Sequence, residues 1–400
     1  MQSFDVMVAG GGSAGIAAAL AASRAGARTL LVERSEQLGG MGANALVHTF
    51  CGLFHPDVSK GPQWLNPGIP TEIGQRLLEA SGRNKPDLMG RVYVLRHEPA
   101  EFARLATSLC AKEPALTVRT GTALVSLERN AEEWRFITNV AGQMTEATAR
   151  RVVDTTGAAA LAALCSPASR VVAEGDKLYR PALVCRITGM AGPLDENAPL
   201  QLAAILVRAV RTEDLPATAM GAGFRQSPMR DDEVFMTLDL EGGGEAWNPL
   251  DSAAIETVKQ DAHKLAQSIW RHLAANHPLF ATSDQIIMPD QLGIRESARW
   301  KGDYVLTAQD LRESRRFDDE VALAGWPLEF RETARGPKFV YFDKPEPAGI
   351  PARSLRTHEV PGMFFAGKCL SCDHEALASV RVMGTCLATG QAAGRLAADA

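Results

Sequence analysis

The hexapeptide Gly10-Gly11-Gly12-Ser13-Ala14-Gly15 decides the fold. It follows the apolar run Phe4–Ala9, which is typical of a buried strand, and it opens the alanine-rich stretch Ser13–Ala25, which is typical of a thin helix. A second apolar run, Arg28–Glu33, completes a strand–helix–strand unit. A helix of small residues can lie close against a sheet, as the crossover of a dinucleotide-binding unit requires.

The glycines of this hexapeptide have separate roles in the G-x-G-x-x-G pattern. The first permits a tight turn, the second lets the backbone approach a pyrophosphate, and the third permits contact between helix and strand. The N–H groups at the start of the helix face the phosphate charge. The predicted cofactor contacts in this segment are Gly10, Gly12, Ser13, Ala14 and Gly15.

An acidic residue at the end of the second strand indicates which dinucleotide binds. Glu33 lies 23 residues after Gly10, where a carboxylate can accept hydrogen bonds from ribose hydroxyls and would repel a 2′-phosphate. NADP is therefore disfavoured. FAD is favoured over NAD because a second glycine-rich turn follows, and because Val152–Gly157 reads as a returning strand with a small-residue turn. The further predicted contacts are Glu33, Arg34, Gly39, Gly40, Met41, Val125, Thr156 and Gly157.

Chain length and element pattern predict two domains. A chain of 400 residues is long enough for two cores. We predict an α/β fold in which residues 1–171 and 346–400 form a discontinuous Rossmann-type FAD-binding domain. A β-meander is inserted over 116–154, with Thr117–Leu127 as one of its strands and Arg151–Asp154 as another. Residues 172–345 are predicted to form an α+β substrate domain that contains an amphipathic helix with Ile255 and Leu273 on its core face.

Composition argues against several partners. The 42 basic and 47 acidic residues leave a net charge of −5, with no block of like charge that suggests nucleic acid or an anionic membrane. No run approaches the roughly 18 apolar residues of a membrane span, and no secretory signal is evident. Seven scattered cysteines suit a reducing compartment, so we expect a cytoplasmic protein with a small-molecule substrate. Cys369 and Cys372 form a C-x-x-C pair, but nothing completes a metal site.

These segments together resemble the FAD-dependent oxidoreductases of the glutathione-reductase-like superfamily, in the branch that contains the fumarate reductase and succinate dehydrogenase flavoproteins. The resemblance rests on the N-terminal glycines with Glu33, on Asp154–Gly157, and on the C-terminal runs Gly362–Cys369 and Arg381–Gly384. Two further segments, Gly293–Ser297 and Tyr304–Thr307, resemble a subgroup of these FAD-dependent oxidoreductases. Membership of that subgroup does not determine the substrate. The resemblance implies non-covalent FAD, a possible homodimer, and further cofactor contacts at Gly367, Gly384 and Thr385.

The sequence departs from the family pattern in three places. Lys368 and Ala158 stand where acidic residues are common, and no histidine fits the pattern for covalent flavin attachment, although His48 is near. Gly221–Gln226 lacks the last glycine of a second dinucleotide fingerprint. Electrons are therefore expected from the substrate rather than from a bound NAD(P)H, and to leave to oxygen or another acceptor.

Few residues are needed for chemistry beside a flavin, which supplies the hydride acceptor. His374 is predicted as a general base, and Arg381 as a clamp for a carboxylate or the flavin O2. Arg295 and Arg299 would share a face only in a helix, and the alternative is that they form Arg–Glu pairs at a domain interface. The helix starting near Gly384 would direct its N–H groups at the flavin N1–O2 edge. We also expect His48, Cys51 and His55 near the flavin pocket, since they lie close to the second glycine-rich turn, but their spacing is not diagnostic.

We therefore predict an FAD-dependent dehydrogenase or oxidase that transfers a hydride from a small polar substrate, which can bear a carboxylate, to flavin N5. One alternative is a flavin-dependent reductase of an activated C=C bond with an external electron donor. Another is a flavoprotein with structural FAD or a nucleic-acid-modifying role.

Overall fold

The computed structural model describes residues 2–130, 132–173, 178–241, 247–332 and 336–400. Its strands are β1 (Gln2–Ala9), β2 (Thr29–Val32), β3 (Thr49–Phe50), β4 (Asp87–Met89), β5 (Val92–Arg96), β6 (Leu116–Arg119), β7 (Thr122–Arg129), β8 (Trp134–Val140), β9 (Gln143–Asp154), β10 (Arg170–Val172), β11 (Ala182–Thr188), β12 (Ala222–Gln226), β13 (Val234–Asp239), β14 (Gln285–Ile287), β15 (Ala298–Trp300), β16 (Glu320–Ala324), β17 (Leu328–Phe330), β18 (Lys338–Val340), β19 (Ala348–Pro351) and β20 (Met363–Phe365). Its helices are α1 (Ser13–Arg24), α2 (Met41–Asn44), α3 (Ile69–Ala80), α4 (Pro99–Ala111), α5 (Ala160–Cys165), α6 (Ala198–Arg211), α7 (Ser252–Asn276), α8 (Ala308–Arg312), α9 (His374–Val380) and α10 (Met383–Asp399).

A mixed sheet in the order β6-β2-β1-β9-β8-β7 forms the first half of the fold, and β20 also pairs with β9. The strands β6, β2, β1, β9 and β20 are parallel neighbours, whereas β7, β8 and the start of β9 are antiparallel. The strand β2 is buried along its length, as expected for a parallel strand covered on both faces. The predicted α/β class, with its Rossmann-type unit and inserted meander, is confirmed.

Two details of the meander differ from the prediction. The expected strand Thr117–Leu127 is two strands, because the chain turns at Gly121, where φ is +57°. The first part joins the parallel sheet beside β2, and the second part starts the meander. The expected short strand Arg151–Asp154 is the end of the continuous strand β9, which serves both parts of the sheet.

The end of the chain completes this first sheet. The helix α10 lies directly on α1, and glycines allow the close approach. A Cβ on Gly390 would lie 2.1 Å from the Ala14 carbonyl oxygen, and one on Gly394 would lie 2.2 Å from that of Ala18. Through β20 and α10, roughly the last forty residues therefore pack beside the first glycine-rich turn.

A second, antiparallel sheet has the order β12-β13-β11-β14 and packs against α6 and α7 around its own apolar cluster. The stripe along α7 is core packing, as predicted, with Ala262, Ala266, Ile269 and Leu273 buried. Residues 306–350 instead contribute to a cluster with α9 and α10. The domain boundaries at 171/172 and 345/346 stay a prediction.

An ion cluster joins the two sheets. Arg186 on β11 donates to Glu98 at the start of α4 over 2.9 Å, and its Nε lies 3.7 Å from Glu233. Burial, together with the negative charge of Glu233, raises the pKa of Glu98 to about 7. The Arg186 guanidinium thus lies beside two carboxyl groups, and one of them, Glu98, is partly protonated near neutral pH.

We expect Glu98→Gln to remove part of the pH dependence of stability. Because the pKa of Glu98 is higher in the folded state than in the unfolded state, its stabilising contribution is present in acid and is lost as pH rises through about 7. The wild type should therefore lose on the order of 1–3 kcal/mol between about pH 5 and about pH 8, and the variant should lose less. Urea unfolding at both pH values measures this, and the control is Glu146→Gln, because Glu146 pairs with Arg135 on the surface and does not contribute to the Glu98 pKa. An unchanged slope in Glu98→Gln would contradict the prediction.

Candidate active site

The first glycine-rich turn joins β1 to α1, and its backbone demands glycine at two positions. Gly10 has φ +103°, and a Cβ there would lie 2.6 Å from the Thr155 carbonyl oxygen. A Cβ on Gly15 would lie 1.6 Å from the Gly10 carbonyl oxygen. Gly12 differs, because a Cβ there would meet only the Cα of Gly40, at 3.8 Å. The turn is thus packed on the sheet side and open at Gly12.

The open side of the turn is the N-terminus of α1. Gly12 caps the helix without a side-chain hydrogen bond, and the first turn holds no acidic residue. The backbone N–H groups of Ser13 and Ala14 are therefore available to an anion, with the helix dipole in support. This is the geometry that a pyrophosphate requires.

Glu33 lies under the turn at the end of β2. Its Oε2 accepts a hydrogen bond from the Gly11 N–H at 2.5 Å, and its Oε1 accepts one from the Ser35 N–H at 2.7 Å. Each carboxylate oxygen can accept a second hydrogen bond, so ribose hydroxyls fit here. The neighbouring Arg34 is exposed beside this position.

A second glycine-rich turn touches the first. Gly39 and Gly40 have φ of +116° and +49°, and a Cβ on Gly40 would lie 2.8 Å from the Cα of Gly12. Met41 follows as the first residue of α2 and lines a large cavity. The predicted contacts from Gly10 to Met41 therefore form one continuous surface from the nucleotide end to that cavity.

The remaining predicted cofactor contacts divide into two groups. Thr156, Gly157 and Gly367 lie at the ends of β9 and β20, where Gly157 donates to the Cys369 Sγ at 3.1 Å and Gly367 donates to the Thr389 Oγ1 at 3.1 Å. Val125 lies apart on β7, where the register with β8 shifts, and its side chain is exposed. The structure does not bring Val125 to the cavity.

A cavity of about 1160 Å³ lies between the first sheet and the second. The first half of the fold contributes Met41, His48, Cys51, Lys368, Arg381, Val382 and Met383 to its wall. The opposite wall includes Val184, Arg225, Thr237, Asp239, Arg295, Glu329 and Arg331. A substrate in this cavity would contact both halves of the protein.

The N-terminus of α10 faces this cavity. Its capping residue Val382 makes no side-chain hydrogen bond, and the first turn holds no acidic residue. Gly384 is pressed against the loop before α3, since its N–H donates to the Cys51 carbonyl at 2.9 Å and a Cβ would lie 2.6 Å from that oxygen. The helix dipole is therefore positioned to stabilise negative charge.

Four of the fifteen buried side-chain polar atoms that lack a hydrogen-bond partner in the described residues belong to the cavity wall or to the first turn of α10. They are the His48 Nε2, the Thr49 Oγ1, the Arg381 Nε and the Thr385 Oγ1. Buried polar groups are almost always hydrogen-bonded in native proteins. A flavin ring, with polar atoms along one edge, fits this set of donors and acceptors.

A row of charged groups forms the far wall. Asp239 accepts from both Arg295 and Arg331 at 2.7 Å, and Arg331 also lies 2.6 Å from Glu329. Burial opposes ionisation of both carboxyl groups, but the adjacent arginines hold their pKa values below the usual range. Burial lowers the pKa of Arg295 to about 10, so it stays charged at neutral pH. Arg381 donates to the Glu329 carbonyl at 3.0 Å.

Lys368 lies directly after Gly367 and lines the cavity, at the position where the resemblance leads us to expect an acidic residue. Its Nζ donates to the Ile294 carbonyl at 2.5 Å, and burial lowers its pKa. The side chain therefore adds a basic group to the cavity wall.

Two of the predicted catalytic residues do not line the cavity. The His374 Nδ1 lies 2.9 Å from Glu296, and its ring stacks on Tyr179 at 4.5 Å. Burial would lower the pKa of His374, but Glu296 raises it above its ordinary value. Arg299 donates to the same Glu296 at 2.7 Å and to the Cys372 carbonyl at 3.1 Å. Residues Ala298–Trp300 form a strand rather than a helix. Arg295 and Arg299 therefore do not share a face, and only Arg295 lines the cavity.

The structure brings His48 to the cavity instead. Its ring is buried and stacks on Phe235 at 4.3 Å, while its Nδ1 lies 3.3 Å from the Leu46 carbonyl. Burial, with the charge of Arg225, lowers its pKa to about 3. His48 is therefore neutral. His55, by contrast, lies 3.6 Å from Glu346 and is not among the lining residues.

Several residues that line the cavity belong to no recognisable sequence motif. Arg225, Asp239, Glu329 and Arg331 come from separate segments that meet only in the folded chain. Cys369 and Cys372 are free, buried thiols whose pKa values burial raises. In the described ranges, no group of three or more His, Cys, Asp or Glu residues could hold a metal ion.

Comparison with known proteins identifies a family for this chain. The family model "FAD dependent oxidoreductase" matches residues 5–400. Digeranylgeranylglycerophospholipid reductase 2 of Methanopyrus kandleri is 36% identical over 92 residues, which is 23% of this chain and only 22% of that protein.

Solved structures similar to this chain include two with full coverage of it. A geranylgeranyl bacteriochlorophyll reductase-like protein from Thermoplasma acidophilum has a TM-score of 0.46 and 13% identity over 100% of this chain and 79% of its own. A flavoprotein/dehydrogenase from Cytophaga hutchinsonii has a TM-score of 0.45 and 10% identity over 100% and 78%. No helix in the described part of the chain is both long and apolar enough to cross a bilayer. The match over nearly the whole chain shows that this protein belongs to the FAD dependent oxidoreductase family, with FAD as its cofactor.

Proposed function

We propose that the enzyme oxidises a polar, carboxylate-bearing substrate in the cavity between the two sheets. The observation that carries this proposal is the composition of the cavity wall, with the N-terminus of α10 on one side and Arg295, Arg331 and Arg381 nearby. When bound, FAD supplies N5 as the acceptor of the substrate hydride. A wall rich in guanidinium groups suits a substrate that carries negative charge.

The protein groups have distinct roles in this proposal. The start of α10 stabilises negative charge at the N1–O2 edge of the ring through the helix dipole and the N–H groups of Met383 and Thr385, since the Gly384 N–H donates to the Cys51 carbonyl. Arg381 donates to the Glu329 carbonyl at 3.0 Å and its Nε has no partner among the described residues, so it can donate to the flavin O2. Arg295 is fixed by Asp239 and holds the opposite wall in place.

His48 takes the role that was predicted for His374. Oxidation of an alcohol or amine releases a proton, and the His48 Nε2 is an acceptor without a partner in the described chain. Burial lowers its pKa, but a carboxylate bound near Arg225 would counter the charge that contributes to the lowering. The ring is held by Phe235 and by the Leu46 carbonyl, so its orientation is fixed.

We expect His48→Gln to slow substrate-driven flavin reduction by about a hundredfold or more while FAD stays bound. The reason is that glutamine keeps much of the side-chain volume but cannot take up a proton. Anaerobic stopped-flow absorbance measures the rate. The control is His374→Gln, which should reduce flavin within a few-fold of the wild type because His374 lies outside the cavity. Equal rates for His48→Gln and the wild type would contradict the assignment.

The proposal is tested by the visible spectrum of the purified protein. Hydroxy acids, amino acids and polyols are added without oxygen while the flavin band is followed. Bleaching by one class identifies the electron donor, and readmission of air separates an oxidase from a dehydrogenase. A flavin that no donor bleaches contradicts the proposal.

A second candidate function is the reduction of an activated C=C bond, and one observation favours it. The cavity wall offers mainly donors, since Arg225, Arg381 and Lys368 lack a carboxylate partner in the described chain, and such groups can stabilise charge on an unsaturated acid. Reoxidation of chemically reduced protein by an enoate, but not by its saturated analogue, would identify this activity.

Finer expectations belong to the same proposal. We propose a place in the fumarate reductase-related branch on the motif resemblance, non-covalent FAD, a homodimer and a cytoplasmic location. Release of free FAD on acid precipitation tests the attachment, and light scattering tests the oligomeric state.

A further inference from the structure

Among the cations of the cavity wall that lack a carboxylate partner in the described chain, Arg225 has the weakest hydrogen-bond acceptor. Arg225 on β12 makes a single side-chain hydrogen bond in the described chain, from its Nη1 to the Met89 Sδ at 2.9 Å. Thioether sulfur is a weak acceptor, so this contact leaves the charge uncompensated. Arg295 and Arg331, by comparison, each hold a carboxylate at 2.7 Å.

The surroundings of Arg225 make this charge costly. Burial lowers its pKa, and the positive charges of Arg331 and Arg96 act in the same direction, although Cys51 and Glu329 partly oppose them. A desolvated guanidinium without a counter-ion is unfavourable unless a ligand supplies the anion. The planar, forked donor set of arginine matches a carboxylate in a bidentate arrangement.

The mouth of the cavity has the opposite character. Met220 is 52% exposed and Phe339 is 38% exposed, and both line the cavity. Trp326 lies behind Phe339 at 6.3 Å between ring centroids, and Tyr341 lies at the same distance. Exposed apolar side chains grouped at a cavity mark a surface that binds an apolar ligand.

The strand β12 connects these two regions. Met220 lies just before the strand, Gly223 is exposed within it, and Arg225 is the next residue on the same face. Gly223 carries no side chain, so the path along the strand from mouth to guanidinium stays open. The strand therefore has an exposed apolar side chain before its start and, near its end, a guanidinium without a carboxylate partner in the described chain.

We propose that the substrate is an amphipathic carboxylate, with its head group on Arg225 and its apolar chain between Met220 and Phe339. This inference rests on the proposed function, since it takes the cavity as the substrate site. It replaces the expectation of a small polar substrate with a longer, amphipathic one.

The test is a titration of the FAD-loaded protein with acetate, hexanoate, octanoate and succinate, and with octanol as the neutral match. Binding is followed by the change in flavin absorbance and in tryptophan fluorescence. We expect affinity to rise about three- to fourfold for each added methylene, and octanoate to bind at least tenfold more tightly than succinate. Octanol should bind weakly, because it leaves Arg225 without an anion.

Variants locate the two ends of the ligand. Arg225→Met should weaken octanoate at least tenfold without weakening octanol, and Arg225→Lys should retain part of the affinity. Met220→Ser with Phe339→Ser should remove the dependence on chain length. Arg211→Met, on the exposed end of α6, is the control and should leave every affinity unchanged.

Equal affinity for acetate and octanoate, or tighter binding of succinate, would overturn the inference. An unchanged octanoate affinity in Arg225→Met would overturn it as well. These results do not depend on catalysis, because the titration needs only bound flavin. Failure of the proposed function is seen separately, as a flavin that no organic donor reduces.

Discussion

Replacing Gly12 by glutamate is expected to abolish FAD binding in a protein that stays folded. The position tolerates a side chain, because its backbone is extended and a Cβ meets nothing nearer than the Gly40 Cα at 3.8 Å. The new carboxylate would, however, occupy the face on which the pyrophosphate meets the start of α1. Two like charges about 4 Å apart repel by about 4 kcal/mol near a protein surface, which corresponds to roughly a thousandfold loss of affinity.

The measurement is the flavin content of the purified variant, followed by a titration with added FAD. Gly192→Glu is the matched control, since a Cβ on Gly192 has no neighbour within 4 Å and the position is remote in sequence from both glycine-rich turns. Circular dichroism and urea midpoints should agree between the two variants and the wild type. Full flavin occupancy in Gly12→Glu would show that the pyrophosphate lies elsewhere.

Gly394→Leu is expected to destabilise the whole first half of the protein. A Cβ there lies 2.2 Å from the Ala18 carbonyl oxygen on α1, and this neighbour is backbone that cannot rotate away. Leucine favours helix over glycine by about 1 kcal/mol, but overpacking against a neighbouring helix costs about 3 kcal/mol or more. The steric effect therefore prevails, and it is a large share of a total stability of about 5–15 kcal/mol.

The free energy of unfolding and the flavin content of Gly394→Leu measure this effect. Both should fall, since α1 cannot keep its place over the sheet when α10 is pushed away. Arg395→Leu, one residue along the same helix and exposed, should leave both quantities near wild type. A Gly394→Leu protein with wild-type melting temperature would refute the tight contact of the two helices.

The nucleotide end could be predicted from sequence because its determinants are local. Gly10, Gly15 and Glu33 belong to one strand–helix–strand unit, and each has a stereochemical requirement that few other residues satisfy. The second turn at Gly39 and Gly40 follows within the same segment. Short spacing and special backbone geometry make such a site readable without tertiary information.

The substrate side could not be predicted, because its residues are distant in sequence. Arg225, Asp239 and Arg331 approach one another only through strand pairing and the crossing of segments. Arg295 and Arg299 illustrate the difficulty, since their spacing of four is informative only in a helix and the fold makes that segment irregular and then extended. His374 was favoured for its place in a flavin-contacting segment, yet Glu296 and Tyr179 hold it away from the cavity.

The contact of α10 with α1 has a consequence for biosynthesis. The Ala14 carbonyl and Gly390 meet closely, although nearly the whole chain separates them. At about 5–20 residues per second, α1 leaves the ribosome some 20–75 seconds before its partner helix is made. During that interval the apolar face of α1 and one edge of β9 have no native cover, which exposes the nascent chain to aggregation. We therefore expect flavin to be captured only after translation of α10, so that bound FAD reports a chain synthesised at least to Asp399.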